Sequence, residues 1–113
     1  MSHEPLPLAA LVAGATGSGV VWSLPRGGGV NVNLVRLEGG GSIGEHVNDA
    51  VDVVLLGVEG TATVSVDGLE VALEPGALLV VPAGARRAIA ARGGTAGYLS
   101  LHRERGGLMP RGS

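Results

Sequence analysis

The sequence predicts an all-β domain, a barrel or sandwich of eight or nine short antiparallel strands. Three observations carry this. Short apolar runs recur at near-regular spacing, each closed by Gly, Pro, Asp or Asn. The composition favours strands and turns, with 21 Gly and no Phe, so that Val, Leu and Ala must fill the core around one Trp (Trp22) and one Tyr (Tyr98). No segment keeps a helical period over three turns.

The elements follow in order. Residues 1–18 begin MSHEPLPLAALVAGA, which is apolar but carries Glu4 and no positive run. That is expected to be a leading arm or first strand, not a secretory signal. The first clear strand is 19–24 (GVVWSL), broken by PRGGG. Val30–Leu37 alternates at its start, with Val30, Val32 and Leu34 on one face and Asn31 and Asn33 on the other. EGGG at 38–41 is a corner. Residues 51–56 are continuously apolar apart from Asp52. The runs 61–66 and 69–73 are joined by Asp67-Gly68, a hairpin signal because both turn positions need positive φ. Glu74-Pro75-Gly76 turns the chain into 77–81, Pro82-Ala83-Gly84 breaks that strand, and 86–91 and 97–103 are the last two runs. The tail at 106–113 ends LMPRGS, which resembles part of a protease-cleavage linker and is set aside. One domain over 1–105 is expected, with its core at 30–101.

Composition also excludes functions. The 8 basic residues are all arginine and face 10 acidic ones, so there is no electrostatic footprint for nucleic acid. Aromatic stacking platforms for single strands are missing too. With no cysteine, disulfides, thiolate zinc sites and cysteine nucleophiles are ruled out. The apolar runs at 6–15 and 77–83 are too short for a membrane-spanning helix. A cytoplasmic protein without membrane or nucleic-acid partners is expected.

Two spaced motifs then resemble those of small single-domain cupins. That family reads G-x5-H-x-H-x3,4-E-x6-G and then G-x5-P-x-G-x2-H-x3-N. The second frame is met by Gly76, Pro82, Gly84 and position 87. The first is met by Gly40, His46 and Gly60. The resemblance implies a cupin-type jelly-roll β-barrel, a double-stranded β-helix. It covers roughly 30–101.

The metal-ligand positions of that resemblance are degenerate. His46 matches the first histidine, but Asn48 stands at the second. The acid position falls on Asp52 or Val53, depending on the direction of counting. The last histidine is Arg87 and the closing asparagine is Ala91. Zn, Fe and Mn sites need several imidazoles or carboxylates aimed at one point. An arginine has no lone pair to offer and repels a divalent ion. Strand alternation sends one of Arg86 and Arg87 inward, and the motif frame nominates Arg87.

The expected function is therefore binding of a small polar or anionic ligand, with no cofactor. His46, Asn48, Asp52 and Arg87 form the ligand set over an apolar floor of Val and Leu. Arg87 suits a carboxylate or phosphate through bidentate contact. No catalytic residue is assigned. The alternative is a metal-dependent oxygenase or isomerase, in which His46 and Asp52 hold Mn, Fe, Ni or Zn with a recruited ligand such as His102. A metal-free enzyme would use a His46–Asp52 base with Tyr98 as acid. A structural module without a ligand is the remaining class. A homodimer is expected in every case, through the apolar face of Val30–Leu37 and the arm at 6–11.

Overall fold

The computed structural model describes residues 4–104. The tail at 106–113 lies outside the described residues. Nine strands are present among the described residues: β1 (Gly19–Ser23), β2 (Val30–Leu37), β3 (Ser42–Val47), β4 (Val53–Glu59), β5 (Ala62–Val66), β6 (Leu69–Leu73), β7 (Leu78–Val81), β8 (Arg86–Ala91) and β9 (Ala96–Arg103). They form two antiparallel sheets, ordered β1-β2-β9-β4-β7 and β3-β8-β5-β6. The long-range pairings β2–β9 and β4–β9 make this a jelly roll rather than a meander of consecutive hairpins.

The core lies between the sheets. Val35, Leu37, Val53, Leu55, Val64, Val81, Ile89 and Tyr98 are among its buried members. Strand periodicity decides which residues reach it. In β4, Val53 and Leu55 are buried and alternate with half-buried Val54 and Leu56. β2 divides its residues between two surroundings. Val35 and Leu37 join the core, while Leu34 and Val32 pack in a second cluster on the outer side.

That second cluster corrects the expectation for the arm. Residues Leu8–Gly14 form a short helix, α1. Leu8, Leu11 and the fully buried Val12 pack on Leu34, Leu99 and Trp22. Their spacing is helical, but it lasts under two turns, too short to show as a period. Arg36 holds the helix end in place. Its Nε donates to the Val12 carbonyl at 3.0 Å and its Nη1 to the Gly17 carbonyl at 2.5 Å. The Val12 carbonyl also accepts the Ala15 N–H at 3.3 Å, so Arg36 ties both the helix end and the segment after it to β2.

The Asp67-Gly68 hairpin forms between β5 and β6. Asp67 has φ 49° and Gly68 φ 86°, as a type I′ turn requires. Asp67 also accepts the Arg86 backbone N–H through Oδ1 at 2.9 Å, which pins the turn to the start of β8. β3 had no clear signal in the sequence. It is an edge strand with five of its six residues exposed, so burial imposes no alternation on it. No helix among the described residues is long and apolar enough to cross a membrane.

Candidate functional site

A cavity of ≈ 200 Å³ opens between the sheets at one end of the molecule. Its apolar wall includes Val35, Leu55, Ile43 and Ile89. Its polar groups are His46, Arg87, Tyr98, Ser100 and Asn33.

Backbone irregularity brings these groups together. His46 pairs with Arg87 across β3 and β8. The register shifts between Ile43 and His46. In a regular strand, residues three apart point to opposite faces. The bulge at Gly44–Glu45 removes that constraint, and both Ile43 and His46 line the cavity. A second shift, between Val20 and Trp22 of β1, does the reverse. Val20 lines the cavity, whereas Trp22 joins the outer cluster.

The central polar contact is between His46 and Arg87. Arg87 Nε donates to His46 Nε2 at 3.1 Å. On its other side the ring meets the Gly44 carbonyl, with Nδ1 at 3.1 Å. A ring that donates from Nδ1 and accepts at Nε2 is the neutral Nδ1–H tautomer. Arg87 is half-buried, with Nη1 fully buried. Arg86 points the other way, to an exposed 3.8 Å contact with Glu45 that contributes little.

Tyr98 stands on the opposite sheet and is 2% exposed. Burial pushes its phenol up to about 12, while the Arg87 guanidinium pulls in the other direction. The hydroxyl is thus a neutral hydrogen-bonding group at physiological pH. Ser100 and Asn33 are register partners on β9 and β2, and the Ser23 hydroxyl donates to Asn33 Oδ1 at 2.6 Å.

Of the four residues proposed from sequence, His46 and Arg87 line this cavity. Asn48 and Asp52 do not. Asn48 closes a local turn, accepting the Ala50 N–H through Oδ1 at 3.1 Å, and its carbonyl accepts the Gly84 N–H at 2.9 Å. Asp52 is exposed and its Oδ1 accepts the Ala83 N–H at 2.8 Å. Both residues therefore latch the 48–52 loop to the Pro82–Gly84 turn. The ambiguity over the acid position ends here too. Val53 is the inward residue, 1% exposed in the core, and Asp52 is its outward neighbour. Asn33 and Ser100 were not singled out as site residues from the sequence. Their signal was the alternation of Asn31 and Asn33 in β2 and of Tyr98, Ser100 and His102 in β9. What hid it was that those strands, far apart in sequence, are neighbours in space.

The family model for the cupin domain matches residues 33–101. The chain belongs to the cupin family. This cupin resembles a cupin superfamily protein of Desulfitobacterium hafniense, with 29% identity, a TM-score of 0.77, and coverage of 91% of this chain and 93% of the other. A protein of Thermus thermophilus is 26% identical, with a TM-score of 0.67 over 79% and 83% of the two chains. A cupin-2 domain protein of Shewanella frigidimarina is 19% identical, with a TM-score of 0.63 over 78% and 80%, and shares the fold. No match was found among curated proteins.

The metal positions implied by the cupin motifs can be tested on the residues present. The His46 lone pair at Nε2 is directed to Arg87, and the last ligand position is that arginine itself. Asp52 is bonded to backbone outside the cavity. His102 lines a neighbouring groove instead. No group of three or more His, Cys, Asp or Glu comes together among the described residues. These residues do not fit a divalent ion.

Proposed function

We propose that this cupin binds a small anionic molecule in the cavity between its sheets, without a metal centre. The observation that carries the reading is the Arg87–His46 hydrogen bond at the mouth of a mostly apolar cavity. A permanent cation stands where the family motif has a metal-binding histidine. Its guanidinium is suited to a carboxylate or phosphate. His46 orients it through Nε2, and Tyr98 supplies a neutral hydroxyl. Asn48 and Asp52 act on the loop, not on the ligand.

The test is thermal unfolding with acetate, phosphate or sulfate, on the wild type and Arg87→Met. A ligand at about 100 times its Kd adds about 2.7 kcal/mol to stability. We expect at least one anion to stabilise the wild type and to lose that effect in Arg87→Met. No stabilisation by any of the three, or equal stabilisation of both proteins, refutes the reading.

We also read the outer face of the five-stranded sheet as a homodimer surface. Val80, Val54, Leu101 and Val32 are successive register partners across it. Leu78 and Val80 are 63% and 50% exposed at its edge. A contiguous apolar face of this kind marks an association site. A strict monomer in sedimentation equilibrium at high protein concentration would remove this reading.

A further inference from the structure

Asn33 borders two cavities at once. It lines the cavity of Arg87 and Tyr98, and also a wider, open groove of ≈ 820 Å³ beside it. The groove adds Ser23, Asn31 and His102. We propose that the ligand is a sugar acid, with its carboxylate on Arg87 and its hydroxyls on Ser100 and Asn33. A second sugar unit extends toward Asn31 and His102. This rests on the anion-binding reading above and names the ligand class.

The register places the groups on a grid. Ser23, Asn33 and Ser100 are successive partners across β1, β2 and β9, and Asn31 pairs with His102 in the next inward row. Neighbouring strands lie about 4.8 Å apart and alternate residues about 6.7 Å apart. From Tyr98, beside Arg87, the Ser100 row is thus about 7 Å away and the His102 row about 13 Å. The first distance matches a six-carbon hydroxy acid. The second calls for a longer molecule.

The donor and acceptor pattern selects hydroxyls over more acid groups. Ser23 occupies Asn33 Oδ1, so Asn33 presents its N–H donors. His102 Nδ1 lies 2.8 Å from the Arg103 carbonyl and donates to it, and in the neutral ring Nε2 is then an acceptor. A hydroxyl both donates and accepts and can serve both groups. A second carboxylate only accepts and has nothing to offer that neutral ring. The far end of the groove holds one cation and one carboxylate, Arg26 and Glu104, with the Gly27 N–H bound to Glu104 Oε2 at 2.8 Å. Its charges offset one another, whereas Arg87 and neutral His46 leave the inner end positive. The site is polarised for a molecule acidic at one end and neutral along its length.

The experiment is a calorimetric or NMR titration with three probes: D-galacturonate, glycolate and D-glucose. Glycolate keeps the acid without the sugar hydroxyls, and glucose keeps the hydroxyls without the acid. We expect galacturonate to bind at least tenfold more tightly than either. In Asn33→Ala/Ser100→Ala its affinity should fall to that of glycolate, with glycolate itself unchanged. If Asn33→Ala does not fold, Ser100→Ala alone should show a smaller loss confined to galacturonate. Galacturonate binding no tighter than glycolate, or equal losses for both in the variants, overturns the sugar-acid assignment. Arg87-dependent glycolate binding would then leave the anion site standing. No binding by galacturonate or glycolate overturns both.

Discussion

Asp52 is one of the two residues on which the cupin motif's metal-binding acid falls, and its carboxylate bonds to backbone instead. Its Oδ1 accepts the Ala83 N–H at 2.8 Å, across the seam between the 48–52 loop and the turn before β8. Asp52→Ala deletes that acceptor. A hydrogen bond to a charged group contributes about 1.5–3 kcal/mol. Asp52 is exposed, so water replaces part of the loss, and about 1–1.5 kcal/mol is expected. For a domain of this size that lowers Tm by roughly 4–6 °C. Asp52→Asn keeps an acceptor oxygen and should cost less than half as much. Anion affinity should change less than twofold in both variants, since Asp52 does not line the cavity. Urea denaturation gives the stabilities and a parallel anion titration gives the affinities. Loss of binding in Asp52→Ala with stability unchanged would refute the latch and restore Asp52 to the site.

Two other predictions concern the fold and Tyr98. A Cβ on Gly97 would lie 2.5 Å from Val12 Cγ2, well inside normal contact. Gly97→Ala should displace α1 and destabilise the protein by about 2–3 kcal/mol, from overpacking and exposure of Val12; a urea midpoint within error of wild type would contradict this. Tyr98 is the one tyrosine, and the chain has neither Lys nor Cys, so absorbance near 295 nm follows a single phenol with no other side chain titrating above pH 9 except arginine. Its ionisation should be centred near 12 in the folded protein. Because the folded pKa is raised, this stability is complete below pH 10 and is lost as pH rises from 10 to 12, by at most about 2–3 kcal/mol. A midpoint near 10 in the folded state would show that the phenol is not buried.

The fold was largely legible because its signals are local. Asp67-Gly68 fixes a hairpin through the φ values both residues adopt, and Gly76 and Gly84 take φ 86° where the second motif places its turns. β2, β6 and β8 have the ends that the runs between turn residues suggested. α1 was hidden because its period is too short, and β3 because an exposed edge needs no pattern. The site was half legible. Arg87 and His46 could be named, since motif spacing fixes a place in each strand. Asp52 could not be placed, because a one-residue difference in counting sends a side chain to the opposite face. Asn33 and Ser100 depended on a β2–β9 pairing between distant parts of the chain. The bulge before His46 leaves no trace beyond Gly44, a residue that 20 other positions also carry.

The central claim is that a cation from the protein has taken the place of a metal. It is tested most directly by metal content. Protein purified without chelator is analysed for metals, and metal-free protein is titrated with Mn, Fe, Ni and Zn. Far less than one metal per chain and no thermal stabilisation by any of the four are expected, because His46 Nε2 is engaged by Arg87. About one metal per chain, lost in His46→Ala, would contradict it and would mean that Arg87 turns away from His46 in solution.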